Sequence, residues 1–442
     1  MAIEATPATA ERTPPHARSG RRSQVIAAVA LVAVLLGVSA FMAWEVPCIS
    51  PIRGTRTDLI MELVALRALA HGQDPYSPAV SAQIESAIEG RTLTPSTPGY
   101  DKNPFLYPLA PALLLLPITP LSTDDAVMLM RMVTVALYLA ALALLIWRFA
   151  GGLPLVARAG LLLVGIAWWP FLAVILPIVQ QAGTVFALLV FALLAAERGR
   201  WFWSGAAAYA ALLKPADSGL VVLLLVAWAL TSRAGRWRFV WGFLALALPT
   251  AALAFVARPT WLFEWITQLL AWRGPGDFAL INPPATVAHA LGLPAGVVWG
   301  AIALIVAGWA FAAWRAIRPR DGATARDAGV LWWHAGIGCI LIMLIPRVAN
   351  YDMVVLLIPW FIALRAAGAL APPTRAATYA ALAALLVGVG LLAYRDHALL
   401  EMPIFALALL VALWLPRPTG HAGPHASEQR ATMPTPLAPA AP

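Results

Sequence analysis

Long apolar runs broken by short polar stretches set the pattern of this chain. The first covers about 25–44. Others follow at 125–147, 159–176, 182–196, 201–213 and 218–231, then at 239–256, 295–313, 330–345, 353–364, 376–393 and 403–415. A helix needs about 20 mainly apolar residues to cross a bilayer, so the pattern predicts an all-α polytopic membrane protein with about twelve transmembrane helices. A long loop at 48–124 separates the first run from the second and carries shorter helical stretches, read as surface helices. The first run follows a set of arginines and passes a small-residue "VSA", but it is longer than a signal-peptide core, which favours an uncleaved first helix. Both ends are rich in Pro and Ala and lack helical period. Residues 1–23 and 417–442 are expected as disordered cytosolic tails around one membrane domain at 24–416.

Composition agrees with this pattern: 61% of the 442 residues are hydrophobic and 12% charged. The net charge of +9 sits in short clusters between apolar runs, such as "SRAGRWR" and "WRAIRPRDGATAR". That distribution fits cytosolic loops under the positive-inside rule and argues against nucleic acid as a partner. The clusters fall at every second loop, provided that 103–122, "NPFLYPLAPALLLLPITPLS", does not cross. Its five prolines suit a helix lying on or dipping into the outer face. Cys48 and Cys339 show no metal spacing and no reason to pair.

In this register the outer face collects most polar groups that need explaining. The stretch 58–70 has good helix formers without Gly or Pro, and Gly72 suits its end. Asp58 and Glu62 share one face of that helix, and Arg67 and His71 the opposite one. The plain reading makes Asp58 an N-cap, Glu62 a partner of the helix dipole, and Arg67 and His71 headgroup anchors. Trp168, Trp169, Trp261, Trp265, Trp272 and Trp360 fall near run ends, where interfacial belts place tryptophan.

Several motifs occur in order: Asp58, then "GQDPY" at 72–76, "YPLAP" at 107–111, "LPIVQQAG" at 176–183 and "LLKPADSG" at 212–219. In this order the chain resembles the polyprenol-phosphate-sugar-dependent glycosyltransferases of the C superfamily (GT-C-like), most of all glycosyltransferase family 87, an alpha-mannosyltransferase group. The likeness covers about the first 220 residues; beyond them only hydropathy agrees. "YPLAP" has Leu109 where the family has a second proline, and "QQAG" lacks the usual Gly before the amide.

The resemblance implies an integral protein of a bacterial inner (plasma) membrane, with its active site on the extracytoplasmic side. It implies an inverting transfer of a sugar, most often mannose, from a polyprenyl-phosphate donor to a hydroxyl of a glycolipid or glycan acceptor. No cofactor and no protein-bound metal is expected. Asp58 is carried over as general base, with Glu62 as runner-up. Positive groups at the departing phosphate come from Lys214, Arg347 or Lys102, and Tyr107, Gln180, Gln181, Asn282, Asn350 and Tyr351 are candidate substrate-binding residues. Lys214 and Arg347 serve equally well as snorkelling residues. The alternative function is a lipid-linked-sugar flippase or secondary transporter. The chain lacks half-to-half symmetry, and Arg131 is its main mid-span charge. A polymerase or ligase using a diphosphate lipid would share the outer-face chemistry.

Overall fold

A computed structural model describes residues 16–45, 57–99, 103–232, 235–271, 291–318, 327–343 and 350–393. Within them the protein is all-helical. The apolar composition and the continuous hydrogen bonding of helices are the two things a lipid environment demands of a backbone. Among the described residues three helices are long and apolar enough to cross a membrane, Thr123–Ala150, Arg236–Ala257 and Gly296–Ile317, or four if a bent pair counts as one span. The expected twelve is not reached by this criterion. Ala182–Glu197, Pro215–Leu230 and Ala328–Ile342 are apolar but short. At 1.5 Å per residue a 16-residue helix reaches about 24 Å, under the roughly 30 Å hydrocarbon core. The run at 403–415 lies outside the described residues.

The chain opens with α1, His16–Glu45. It begins inside the segment expected as a disordered tail: "HARSGRRS" contains no proline, and its single glycine is tolerated ahead of the apolar run. Two short helices follow, α2 (Leu59–Ala70) and α3 (Pro78–Glu89). Next come α4 (Leu109–Ala112), which runs on as a 3-10 turn at Leu113–Ile118, and the long α5 (Thr123–Ala150). The prolines thus hold the 103–122 segment to a ten-residue apolar helix, too short for a crossing. α6 (Leu155–Ala167) is bent by 45° against the stretch Pro170–Ile178, which ends in α7 (Leu176–Ile178). The bend falls at Trp168, Trp169 and Pro170, where a π-helical turn begins. α8 (Ala182–Glu197), α9 (Trp201–Ala211), α10 (Pro215–Leu230), α11 (Arg236–Ala257) and α12 (Trp261–Ala271) follow. Four more helical stretches come later: Ala295–Ile317, Ala328–Ile342, Asn350–Leu356 continuing into Leu357–Ala367, and Pro372–Ala393.

Side chains bury into two apolar cores. The larger runs through α1, α5, α6, α8, α10 and the later helices, with Trp168, Trp169 and Trp332 fully enclosed. Trp168 and Trp169 are therefore core residues and not members of an interfacial belt. The smaller core joins α2, α3 and α4 to the start of α5, Val179, Leu213, Ala254 and Trp261. α9 and α11 approach until a Cβ at Gly242 would stand 1.9 Å from the Phe202 carbonyl, so only glycine fits there.

The ends of the bundle carry different networks. Arg148 meets Glu197 at 2.8 Å, Trp332 Nε1 donates to the same carboxylate at 2.7 Å, and Arg365 donates to the Arg148 carbonyl at 3.3 Å. Those bonds join α5 and α8 to the later helices at one end. The other end holds the smaller core and the polar cluster described next.

Candidate functional site

Asp58 sits just ahead of α2 in helical conformation, at φ −62° and ψ −26°, and its side chain makes no capping bond. Its backbone N–H donates to the Ile178 carbonyl at 2.9 Å. Its carboxylate accepts from the Gln180 amide. The simple N-cap role expected for it is replaced by a long-range link between α2 and the end of the broken α6–α7 segment. Val179, between the two contacts, is forced to φ +52°. A β-branched residue in left-handed backbone is strained, and such strain persists only where the surroundings fix it.

Glu62 lies one turn further along α2, on the same face. It is fully buried, and neither carboxyl oxygen finds a partner of ordinary hydrogen-bond geometry, although the Tyr107 phenol stands near enough to ease its charge slightly. Burial pushes its pKa up to about 8, and the Asp58 charge adds to the rise. Burial also raises Asp58, but Lys214 and the Gln180 amide hold it back, leaving it at about 6. Two carboxyls a turn apart are thus separated in acidity by their surroundings. At pH 7 Asp58 is mostly ionised and Glu62 mostly a neutral acid.

Lys214 lies in the short turn after α9, as the N-cap residue of α10 just before Pro215. Its ammonium binds Asp352 and lies 3.3 Å from Asp217. It also stands 4.5 Å from the centre of the Tyr351 ring. Asp217 and Asp352 are essentially inaccessible to solvent, at 0% and 1%. Snorkelling is not what Lys214 does: it sits among buried carboxyls and pairs with two of them. The cluster as a whole draws on α2, the Tyr107 segment, the Gln180 turn, the α9–α10 junction and the 3-10 helix Asn350–Leu356. Five separate stretches of sequence meet there.

Six of the expected site residues are brought together: Asp58, Glu62, Tyr107, Gln180, Lys214 and Tyr351. Gln181 is buried beside Gln180 with neither amide atom bonded. Lys102, Asn282 and Arg347 lie outside the described residues, and of Asn350 only its place at the start of the 3-10 helix is described. Asp217 and Asp352 were not expected. The signal was present, since Asp217 is three residues after Lys214 at a helix start and Asp352 adjoins Tyr351.

Around the cluster, two arginines fix the outer helices. Arg67 donates to the Thr119 carbonyl at 3.0 Å, to Thr123 Oγ1 at 3.0 Å and to the Leu121 carbonyl at 2.7 Å. It ties α2 to the start of α5 and is no headgroup anchor. Arg258 binds Asp74 at 2.6 Å and Glu264 at 2.9 Å, joining the "GQDPY" turn to α11 and α12. Trp265 Nε1 donates to the Leu106 carbonyl at 2.9 Å, which holds α12 against the Tyr107 segment.

The chain was compared with family models, with curated proteins and with solved structures, and it matches none of them.

Proposed function

We propose that this protein is an inverting glycosyltransferase of the membrane, and that Asp58 is its general base. The observation that carries the reading is the pair of carboxyls on α2. They share one face beside a fixed lysine, Glu62 fully buried and Asp58 half-buried, and burial raises both, Asp58 to about 6 and Glu62 to about 8. A base works best with a pKa near the working pH, and a pair of carboxyls driven apart in acidity assigns the acid and base roles. Asp58 takes the proton of an acceptor hydroxyl as its oxygen attacks the anomeric carbon. The bond from that carbon to the phosphate oxygen breaks, and its electron pair leaves on the polyprenyl phosphate. Glu62, as a neutral acid, donates a hydrogen bond to a substrate hydroxyl. Gln180 orients the Asp58 carboxylate, and Lys214 keeps it ionised.

The reading includes a bacterial plasma-membrane location with about twelve crossings, the site facing the extracytoplasmic side, and mannose as first choice of sugar. Its support beyond the cluster is the ordered likeness of the first 220 residues to the family-87 pattern. A second reading, proton-coupled transport of a lipid-linked sugar, draws on the same buried carboxylates and lysine, groups that proton pathways also use. Purified protein with a radiolabelled polyprenyl-phosphate sugar and a glycolipid acceptor separates the two. Label joined to acceptor supports transfer. Label that crosses a liposome with its phosphate bond intact supports transport and sinks the enzyme.

A further inference from the structure

Exposed tryptophan gathers at the bundle end opposite to Asp58. Trp147 stands near the end of α5, Trp203 near the start of α9 and Trp237 near the start of α11, and they are 57%, 67% and 63% exposed. These three positions share one end of the bundle. Arg148 at the end of α5 pairs with Glu197 at the end of α8, and α9 starts shortly after Glu197. Gly235, just ahead of α11, abuts the Trp201 ring that opens α9. Tryptophan left exposed at helix ends, with arginine beside it, is the composition of a membrane–water boundary.

Three arginines meet beside Trp147. Arg198 lies over its ring, 4.7 Å from the centre. Arg148 pairs through Nε with Glu197 at 2.8 Å. Arg365, on the Leu357–Ala367 helix, donates one Nη1 hydrogen to the Arg148 carbonyl at 3.3 Å and lies within electrostatic reach of both Arg148 and Glu197. Against the one carboxylate of Glu197 the three guanidiniums leave a positive surplus. A guanidinium carries five N–H groups. Among the described residues Arg148 commits its Nε to a hydrogen bond, Arg365 one Nη1 hydrogen and Arg198 none. Arg198 and Arg365 are exposed, so their remaining donors face outward. A lipid-facing track leads to this patch: Ala136, Ala140, Ala143 and Trp147 follow one another along the exposed side of α5, a helix long and apolar enough to cross a bilayer.

We propose that Arg148, Arg198 and Arg365 form a binding site for the headgroup of an acidic phospholipid, whose acyl chains lie along α5 beside Ala140 and Ala143. The phosphate oxygens take the outward N–H groups of Arg198 and Arg365, in the forked geometry that suits arginine and phosphate. The positive surplus selects a headgroup of net negative charge, because the same guanidiniums repel the cationic end of a zwitterionic one. A lipid is the occupant, and not a soluble anion, because the patch opens directly onto the apolar track of a membrane-length helix. One headgroup then ties the ends of α5, α8 and the Leu357–Ala367 helix together. The site lies at the far end of the bundle from Asp58 and does not depend on the transferase reading.

The test is native mass spectrometry of the full chain in a neutral detergent, with phosphatidylglycerol and phosphatidylcholine of the same acyl chains offered in equal amounts. The wild type should retain phosphatidylglycerol about tenfold better. The double variant Arg198→Gln, Arg365→Gln leaves the Arg148–Glu197 pair in place and should lose that preference. Ala143→Trp blocks the track with every arginine intact and should also lower retention, which guards against a fold defect in the double variant. Arg236→Gln removes a charge at the same end but outside the patch, and its preference should stay that of the wild type. A double variant that keeps the preference would overturn the site. So would an equal loss in Arg236→Gln, which would make the preference a property of diffuse charge. Displacement of phosphatidylglycerol by inorganic phosphate would make the patch a site for soluble anions and overturn the lipid assignment.

Discussion

Lys214→Met removes the ammonium that pairs with Asp217 and Asp352. The lysine side chain is 13% exposed, and the two carboxylates are 0% and 1% exposed, so water does little to screen the loss. Breaking a buried ion pair from one side leaves an uncompensated charge and costs about 3–5 kcal/mol. Proton uptake by the stranded carboxyls lowers that cost, so Lys214→Met should destabilise the protein by about 3 kcal/mol near pH 7. Adding Asp352→Asn removes one of the stranded charges, and about 1–2 kcal/mol should return as a coupling energy. Reversible unfolding in mixed micelles, read by tryptophan fluorescence, measures all three proteins. Catalysis provides a second readout. Lys214 lowers the Asp58 pKa, so its removal should move the acidic limb of the rate profile above about 6. A single mutant within about 0.5 kcal/mol of wild type, the range of ordinary surface substitutions, would refute the buried-cluster geometry. So would a double mutant no better than the single one.

Two further predictions concern the carboxyl pair and the topology. Glu62 has a folded pKa of about 8 against an ordinary 4.5, so the folded state holds its proton over that window while the unfolded chain gives it up. Stability is therefore greatest below about 4.5 and falls as pH rises towards 8. Glu62→Gln should flatten that fall, and an unchanged slope would mean that the carboxyl is solvated. Gly152, in the open turn after α5, lies at the bundle end opposite to Asp58, where a Cβ meets nothing. A cysteine introduced by Gly152→Cys should resist a membrane-impermeant reagent applied from outside; strong external labelling would invert the orientation.

Much of the helical framework was legible because apolar composition and helix breakers are local signals. α2 ends at Gly72 in left-handed backbone, as the glycine suggested, and the proline-rich 103–122 stretch stays short. The break in the 159–176 run was not legible. "WWP" contains one proline, and only packing of both tryptophans into the core decides that the chain bends there. Charge roles were harder still. Hydropathy puts Lys214 at a span end, but its partner Asp352 is 138 residues away, and no periodicity links them. Arg67 read as a headgroup anchor for the same reason: its acceptors, two of them backbone carbonyls near the start of α5, are invisible in a residue string.

The central claim is that Asp58 takes the acceptor's proton, and Asp58→Asn tests it most directly. Asparagine keeps the size of the side chain and can still hydrogen-bond Gln180 after an amide rotation, while it loses the basic oxygen. The measurement is the rate of sugar transfer by purified Asp58→Asn, alongside its binding of sugar-free polyprenyl phosphate. The account predicts intact binding with transfer reduced by about 10²-fold or more. Near-normal transfer by a folded, lipid-binding Asp58→Asn would contradict it.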